Sequence, residues 1–161
     1  GTGWSPAPIM IRDADGIPAA ALPAYLKSHS QGEYVFDHHW ADAFERAGGQ
    51  YYPKLQIAAP FSPVPGPRLL LRDPALAPAI LAAAEAVVDQ NGLSSAHATF
   101  VEAGELELFR AAGWLTRMGT QFHWQNRDYA DFDGFLSALS SRKRKAVKKE
   151  RRQVAEAGVG E

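Results

Sequence analysis

Residues 51–71 read YYPKLQIAAPFSPVPGPRLLL, and this stretch decides the fold. Its apolar run, residues 55–59, is typical of a strand that is buried on both faces. Four prolines follow within eight residues: Pro60, Pro63, Pro65 and Pro67. Because proline fixes φ and removes the backbone N–H, we predict that the strand ends in a stiff, extended loop that cannot join a sheet. Such a loop is either a ligand-binding loop, as in many α/β proteins, or simply the end of the strand.

The segments on either side alternate between strand and helix patterns. A turn at residues 13–16 predicts a hairpin between residues 8–12 and 17–26. The alanine-rich residues 74–90 predict a helix that is buried almost all round. The fold class predicted is therefore α/β, with a mixed, mostly antiparallel sheet flanked by helices. The other predicted elements are helices at 37–47, 102–112, 131–139 and 140–157, a strand at 94–100, and one long strand or a bent pair of strands at 114–126.

Length and composition exclude several classes of protein. The chain has 161 residues and no cysteine, which rules out disulfide scaffolds, thiolate metal sites and a cysteine nucleophile. No apolar run approaches the ~18 residues of a membrane span, so we expect a cytoplasmic protein without one. The five histidines show no i, i+4 pair, and we expect no metal site.

Charge is distributed unevenly along the chain. Residues 142–161 carry eight Lys or Arg and three Glu, whereas residues 1–141 carry nine basic and fifteen acidic residues. Eight of the eleven residues in 142–152, RKRKAVKKERR, are basic. On a helix this run is either a solvated face or a surface for anions such as RNA or a phosphorylated substrate. The candidate anion-binding residues are Arg142, Arg144, Lys145, Lys148 and Arg151.

Residues 27–37, KSHSQGEYVFD, bring many reactive side-chain types into one polar segment. Transfer of an acyl group to an amine needs a base for the amine proton and a donor for the carbonyl oxygen. His29 or Glu33 is the candidate base, and Tyr34 or Ser30 the candidate donor. Lys27, Ser30 and Asp37 are candidate substrate-binding residues. The alternative is an ordinary polar surface loop.

Three segments together resemble one family: residues 25–70, residues 105–126 (ELELFRAAGWLTRMGTQFHWQN) and residues 132–152 (FDGFLSALSSRKRKAVKKERR). They are similar to the bacterial FemAB-like proteins of peptidoglycan biosynthesis or recognition, in the GNAT acyltransferase superfamily. The resemblance implies two GNAT-like domains joined across a basic helix. It also implies transfer of an acyl or aminoacyl group to an amine, with acyl-coenzyme A or aminoacyl-tRNA as donor.

The resemblance places a GNAT-like domain at residues 1–130 and a helical extension at 131–161. Because the chain starts at Gly1 and its last helix stops at a glycine, we expect a second domain beyond it. We predict the N-terminal domain of a transferase, inactive alone, whose acceptor is a cell-wall precursor. Its expected partners are that second domain and tRNA or a phosphorylated precursor. The alternatives are a non-catalytic module that binds anions through the basic helix, and a structural half that self-associates.

One segment departs from the GNAT pattern. GNAT enzymes bind the coenzyme A pyrophosphate with consecutive backbone N–H groups that open a helix. The equivalent residues here are 61–68, FSPVPGPR, in which three prolines remove such donors. We therefore expect no usual coenzyme A site in this domain and no cofactor bound to it. The loop instead shapes a substrate site through Ser62, Gly66 and Arg68, and Arg68 is suited to a carboxylate or phosphate.

Overall fold

The computed structural model describes residues 2–158 of the chain. These residues divide into two compact units, Gly1–Arg117 and Met118–Glu161. The first unit contains both β-sheets and three α-helices, and the second contains two α-helices. The expected second GNAT-like domain, and the end of the extension at residues 159–161, lie outside the described residues.

A four-stranded mixed sheet forms the centre of the first unit. Its strands are β1 (Trp4–Pro6), β4 (Ala24–Lys27), β5 (Lys54–Ile57) and β7 (Ala96–Ala98), in the order β1-β4-β5-β7. Strand β4 is antiparallel to both of its neighbours, β1 and β5, and β7 runs parallel to β5. All four residues of β5 are buried, which confirms the strand predicted in the opening stretch.

A second, three-stranded sheet is antiparallel and has the order β2-β3-β6. Its strands are β2 (Ile9–Arg12), β3 (Pro18–Leu22) and β6 (Leu70–Leu71). The hairpin β2–β3 was predicted, but its second strand was predicted to continue to residue 26. Pro23 instead divides that segment, and β4 pairs in the other sheet.

Five α-helices are present in residues 2–158: α1 (His38–Arg46), α2 (Ala77–Gln90), α3 (Ala103–Ala111), α4 (Phe132–Ser137) and α5 (Ser141–Glu156). Helix α2 follows a 3₁₀ turn that Asp73 caps through the backbone N–H of Ala75. Only one face of α2 is buried, so the prediction of burial almost all round was wrong. Alanine has a high helix propensity and is small enough to remain on an exposed face. The predicted class, α/β with mostly antiparallel strands flanked by helices, is confirmed.

One further sequence prediction was wrong. Residues 114–126 were predicted to form a strand, but no strand or helix is assigned there. Trp114 packs against the core, but the other apolar side chains of this segment are exposed: Leu115, Met118, Phe122 and Trp124. The proline loop, residues 60–68, was expected to stay out of any sheet, and it belongs to neither of the two sheets; Gly66 forms only an isolated parallel bridge with Val101. Gly66 retains the N–H that the neighbouring prolines lack, and it donates to Phe100.

The second unit contains the basic helix. Asp131 caps α4 by accepting from the backbone N–H of Gly134 at 2.7 Å, and the Ser140 side chain caps α5. Helix α5 runs to Glu156, so the predicted C-terminal basic helix is confirmed. In residues 2–158 no helix is long and apolar enough to cross a membrane.

Candidate functional site

The two faces of strand β5 differ in chemistry. Leu55 and Ile57 point to one face and belong to the hydrophobic core that includes Ile80 and Leu81 of α2. Lys54 and Gln56 alternate with them and therefore point to the other face. Both are buried, at 1% and 0% exposure. At β5 the sheet thus has an apolar face in the core and a polar face that is also closed to solvent.

Two lysines lie opposite each other on this polar face. Lys27 ends β4 and pairs in register with Lys54, which begins β5. Each forms an ion pair with a carboxylate of the segment between β4 and α1: Lys27 with Glu33, and Lys54 with Asp37. All four side chains are at most 3% exposed. Because a buried charge is costly unless it is paired, these ion pairs hold the segment against the sheet. We call residues 28–37 the closing loop.

Asp37 is the most highly connected of these four residues. Its Oδ2 accepts from the Tyr51 hydroxyl at 3.0 Å, and its Oδ1 accepts from the Tyr52 hydroxyl at 2.8 Å. The Tyr52 hydroxyl also hydrogen-bonds to the Ser30 side chain. Burial raises the pKa of Asp37, but the hydrogen bond and charge of Lys54, with the hydroxyl hydrogen bonds, hold that pKa well below its usual range. Burial lowers the pKa of Lys54, whereas the hydrogen bond and the charge of Asp37 raise it. The effect of burial is the larger, so the pKa of Lys54 lies below its usual value.

Each of the two lysine ammonium groups lies over an aromatic ring. Lys27 Nζ lies 5.1 Å from the centre of the Trp4 ring, and Lys54 Nζ lies 5.0 Å from that of Tyr51. Trp4 also donates from Nε1 to the carbonyl of Gln31 in the closing loop, at 2.8 Å. Gly32 is required beside it, because its φ is +120° and a Cβ would lie 2.6 Å from the Trp4 nitrogen. Trp4 therefore helps to fix the loop over Lys27.

Two buried acceptor oxygens on this face have no hydrogen-bond partner in residues 2–158: Glu33 Oε2 and Gln56 Oε1. Glu33 binds Lys27 through its other oxygen. The Gln56 amide donates to the carbonyl of His97 at 3.3 Å and to the Thr99 hydroxyl at 3.2 Å. Buried polar groups in folded proteins are almost always satisfied, so unpaired acceptors indicate where a donor from water or a ligand would bind.

His97 makes the stability of this face depend on pH. Burial and the positive charge of Lys54 lower the pKa of His97 to about 4 from 6.5. The unfolded chain therefore binds the proton more readily than the folded chain does. The contribution of His97 to the free energy of unfolding is fully present above pH 6.5 and is lost as the pH drops towards 4. We expect a loss of about 3 kcal/mol across this interval, measured by urea unfolding. His97→Gln should remove most of that slope.

His123→Gln is the matched control, because His123 is exposed. It should leave the slope unchanged. An equal slope in wild type and His97→Gln would show that His97 does not titrate in this way.

The three predicted catalytic residues do not converge. Glu33 points inward to Lys27, whereas Tyr34 is 65% exposed. Both ring nitrogens of His29 bond to the backbone: Nε2 to the carbonyl of Thr2 at 2.8 Å and Nδ1 to the N–H of Gln31 at 3.1 Å. In contrast, the predicted binding residues Lys27, Ser30 and Asp37 all join the buried network.

The proline-loop residues are held by the protein itself. The N–H of Ser62 donates to the carbonyl of Ala59, and that of Gly66 to Phe100. The N–H of Arg68 donates to both carboxylate oxygens of Glu105, at 3.0 and 2.9 Å. The guanidinium of Arg68 is buried and donates to the carbonyls of Thr99 and Val64. In this conformation the Arg68 side chain bonds to backbone carbonyls and supports the loop.

The five candidate anion-binding residues divide into two groups on α5. Arg144 donates to the carbonyls of Leu136 and Leu139, each at 3.0 Å. Lys148 pairs with Asp133 at 3.3 Å, and the Arg151 guanidinium lies 4.3 Å from the centre of the Phe132 ring. These three contact α4 or its flanking residues. Arg142 and Lys145 are exposed and form no ion pair in residues 2–158, and neither does the neighbouring Lys149.

Sequence reasoning missed six residues of the buried network: Trp4, Tyr51, Tyr52, Lys54, Gln56 and His97. The sequence did contain one signal, because Lys54 and Gln56 alternate with Leu55 and Ile57 in a strand that was predicted to be buried. A strand buried on both faces that carries a lysine must supply a partner for it. Among residues 2–158, no three His, Asp or Glu side chains come together as a metal site would require.

Comparison with known proteins identifies the family. The FemAB-like family, described as peptidoglycan biosynthesis/recognition, matches residues 1–160. The chain belongs to the FemAB-like family. No curated protein and no solved structure matches it. The buried network and the basic helix are therefore features of a FemAB-like chain. The family to which it belongs is described by peptidoglycan biosynthesis or recognition.

Proposed function

We propose that this FemAB-like chain is the N-terminal domain of a two-domain transferase that moves an acyl or aminoacyl group to an amine. The acceptor is a cell-wall precursor, and a second GNAT-like domain of the same protein completes the site. The family match over residues 1–160 is the observation that carries this proposal. The 161-residue chain alone is expected to be inactive.

Glu33 is the residue that we assign as the base. In the reaction, the amine nitrogen attacks the acyl carbon, the ester or thioester bond breaks, and the donor leaves as the tRNA alcohol or the coenzyme A thiol. The leaving oxygen or sulfur takes up a proton, and the amine loses a proton to the base. Glu33 Oε2 has no partner among the described residues and so can accept that proton. Because Glu33 is 1% exposed, the closing loop must open before the amine can reach it. Tyr34, which is already exposed, is the candidate donor to the carbonyl oxygen.

The proline loop argues against coenzyme A as a ligand of this domain. Three of its backbone N–H groups, at Ser62, Gly66 and Arg68, already bond within the protein. A bound ligand at ~100 times its dissociation constant stabilises a folded protein by about 2.7 kcal/mol, which is a few degrees in Tm. We expect no such shift when coenzyme A or acetyl-coenzyme A is added to the chain. A shift of several degrees would show that the loop does bind the cofactor.

The proposal is tested with the full product of the gene. It is incubated with an amine-bearing peptidoglycan precursor and either acyl-coenzyme A or aminoacyl-tRNA, and the acceptor is followed by mass spectrometry. We expect the acceptor to gain the mass of the acyl group with one donor. The 161-residue chain is run in parallel and should give no product. No transfer with either donor, or equal turnover by the chain alone, would contradict the proposal.

A second candidate function is recognition of an anionic ligand by α5, without catalysis. The observation that favours it is the exposed group Arg142, Lys145 and Lys149, which lacks ion pairs in the described part of the chain. Phosphate binding by such residues weakens steeply as salt rises. Binding of bulk tRNA should therefore fall with ionic strength and be lost when these three residues are changed to glutamine. Salt-independent binding would exclude this function.

A further inference from the structure

The two facing lysines are an anion site that the protein fills with its own side chains. Lys27 and Lys54 lie in register on adjacent strands, and both are at most 1% exposed. Both of their carboxylate partners, Glu33 and Asp37, come from the same ten-residue closing loop. A pair of buried ammonium groups cannot remain unpaired without a large cost. When the loop leaves the sheet, both lysines lose their carboxylate partners and become open to another anion.

The two carboxylates are not held equally. Asp37 binds Lys54 and two tyrosine hydroxyls, and it directly precedes α1. Glu33 binds Lys27 through one oxygen, and its other oxygen is buried without a partner in residues 2–158. Leaving a buried acceptor unsatisfied costs free energy, so the Glu33 contact is the weaker of the two. Glu33 is thus the occupant that a ligand can displace.

We propose that Lys27, beside Trp4 and Lys54, is the binding site for a carboxylate group of a ligand, and that this carboxylate replaces the Glu33 side chain when the closing loop opens. The chemistry of the present occupants indicates the ligand class, since both lysines are paired with carboxylates. The Trp4 ring at 5.1 Å from Lys27 Nζ adds a cation–π contact that keeps the ammonium in place. This site does not depend on transferase activity.

Glu33→Ala tests the proposal directly, because the atoms it removes beyond Cβ correspond to one acetate ion. Urea unfolding of this variant is measured in sodium acetate and in sodium chloride at the same ionic strength. At about 20 times its dissociation constant, acetate should raise the ratio of folded to unfolded protein about 20-fold. Glu33→Gln is the matched control, since the amide fills the same space and should remove the response. No effect of acetate on Glu33→Ala would overturn the proposal.

Wild-type protein provides a second measurement if Glu33→Ala does not fold. Hydrogen exchange of the backbone amides in residues 28–37 is followed as acetate replaces chloride. Because acetate competes with Glu33 for Lys27, we expect exchange in the closing loop to become faster as acetate rises, with β5 unchanged. Equal exchange in both salts would contradict the proposal. An equal response to phosphate would show a general anion site and would overturn the assignment to carboxylates.

Discussion

Asp37→Ala is expected to lower the free energy of unfolding by about 3–5 kcal/mol, because it leaves the Lys54 ammonium buried and unpaired. The variant also removes the acceptor of the Tyr51 and Tyr52 hydroxyls. The loss cannot be attributed to helix capping, since Asp37 makes no side-chain hydrogen bond to the start of α1. Urea unfolding at pH 7 measures the change.

Glu107→Ala is the control for this result. Glu107 pairs with Arg110, and the two side chains are 75% and 47% exposed. Exposed ion pairs contribute up to about 1 kcal/mol, so this variant should remain close to wild type. Similar, small losses in Asp37→Ala and Glu107→Ala would mean that the closing loop is not held by its buried charges.

The Lys27–Glu33 pair should show strong coupling between its two partners. Lys27→Met and Glu33→Leu alone are each expected to cost about 3 kcal/mol, the low end of the range for a broken buried pair, because each leaves one buried charge without a partner. The double variant removes both charges and retains similar volumes. It should therefore recover most of the lost stability, to within about 1–2 kcal/mol of wild type.

A double-mutant cycle of urea unfolding gives this coupling. If the two single losses simply add in the double variant, the two side chains do not form a buried pair. The same cycle on Arg110 and Glu107, which are exposed, should give a coupling below about 1 kcal/mol.

The sequence predicted most elements of the fold because their signals are local. The proline loop, the caps at Asp73, Asp131 and Ser140, and the glycine after α3 each mark the start or end of an element. The division into two sheets was missed because it depends on which strands pair. The strand prediction for residues 114–126 failed for the same reason, because a sequence with a strand pattern forms a strand only where a partner strand exists.

The candidate site was predicted in part. The polar segment 27–37 was identified from its composition, and four of its predicted residues, Lys27, Ser30, Glu33 and Asp37, do meet in one network. Their roles did not follow from composition, because Lys27 and Lys54 are 27 residues apart and meet only through the register of β4 and β5. Asp37 precedes a helix as expected, yet its carboxylate turns to Lys54.

We propose that the transfer reaction takes place at the polar face under the closing loop. The most direct measurement is the rate of transfer by the full gene product carrying Glu33→Gln, compared with wild type and with Glu107→Gln. A general base contributes typically 10²–10⁴-fold, so kcat should fall by at least about 100-fold in Glu33→Gln, whereas Glu107→Gln stays at the wild-type rate. A kcat for folded Glu33→Gln within about 3-fold of wild type, where the base should contribute at least 100-fold, would contradict the claim.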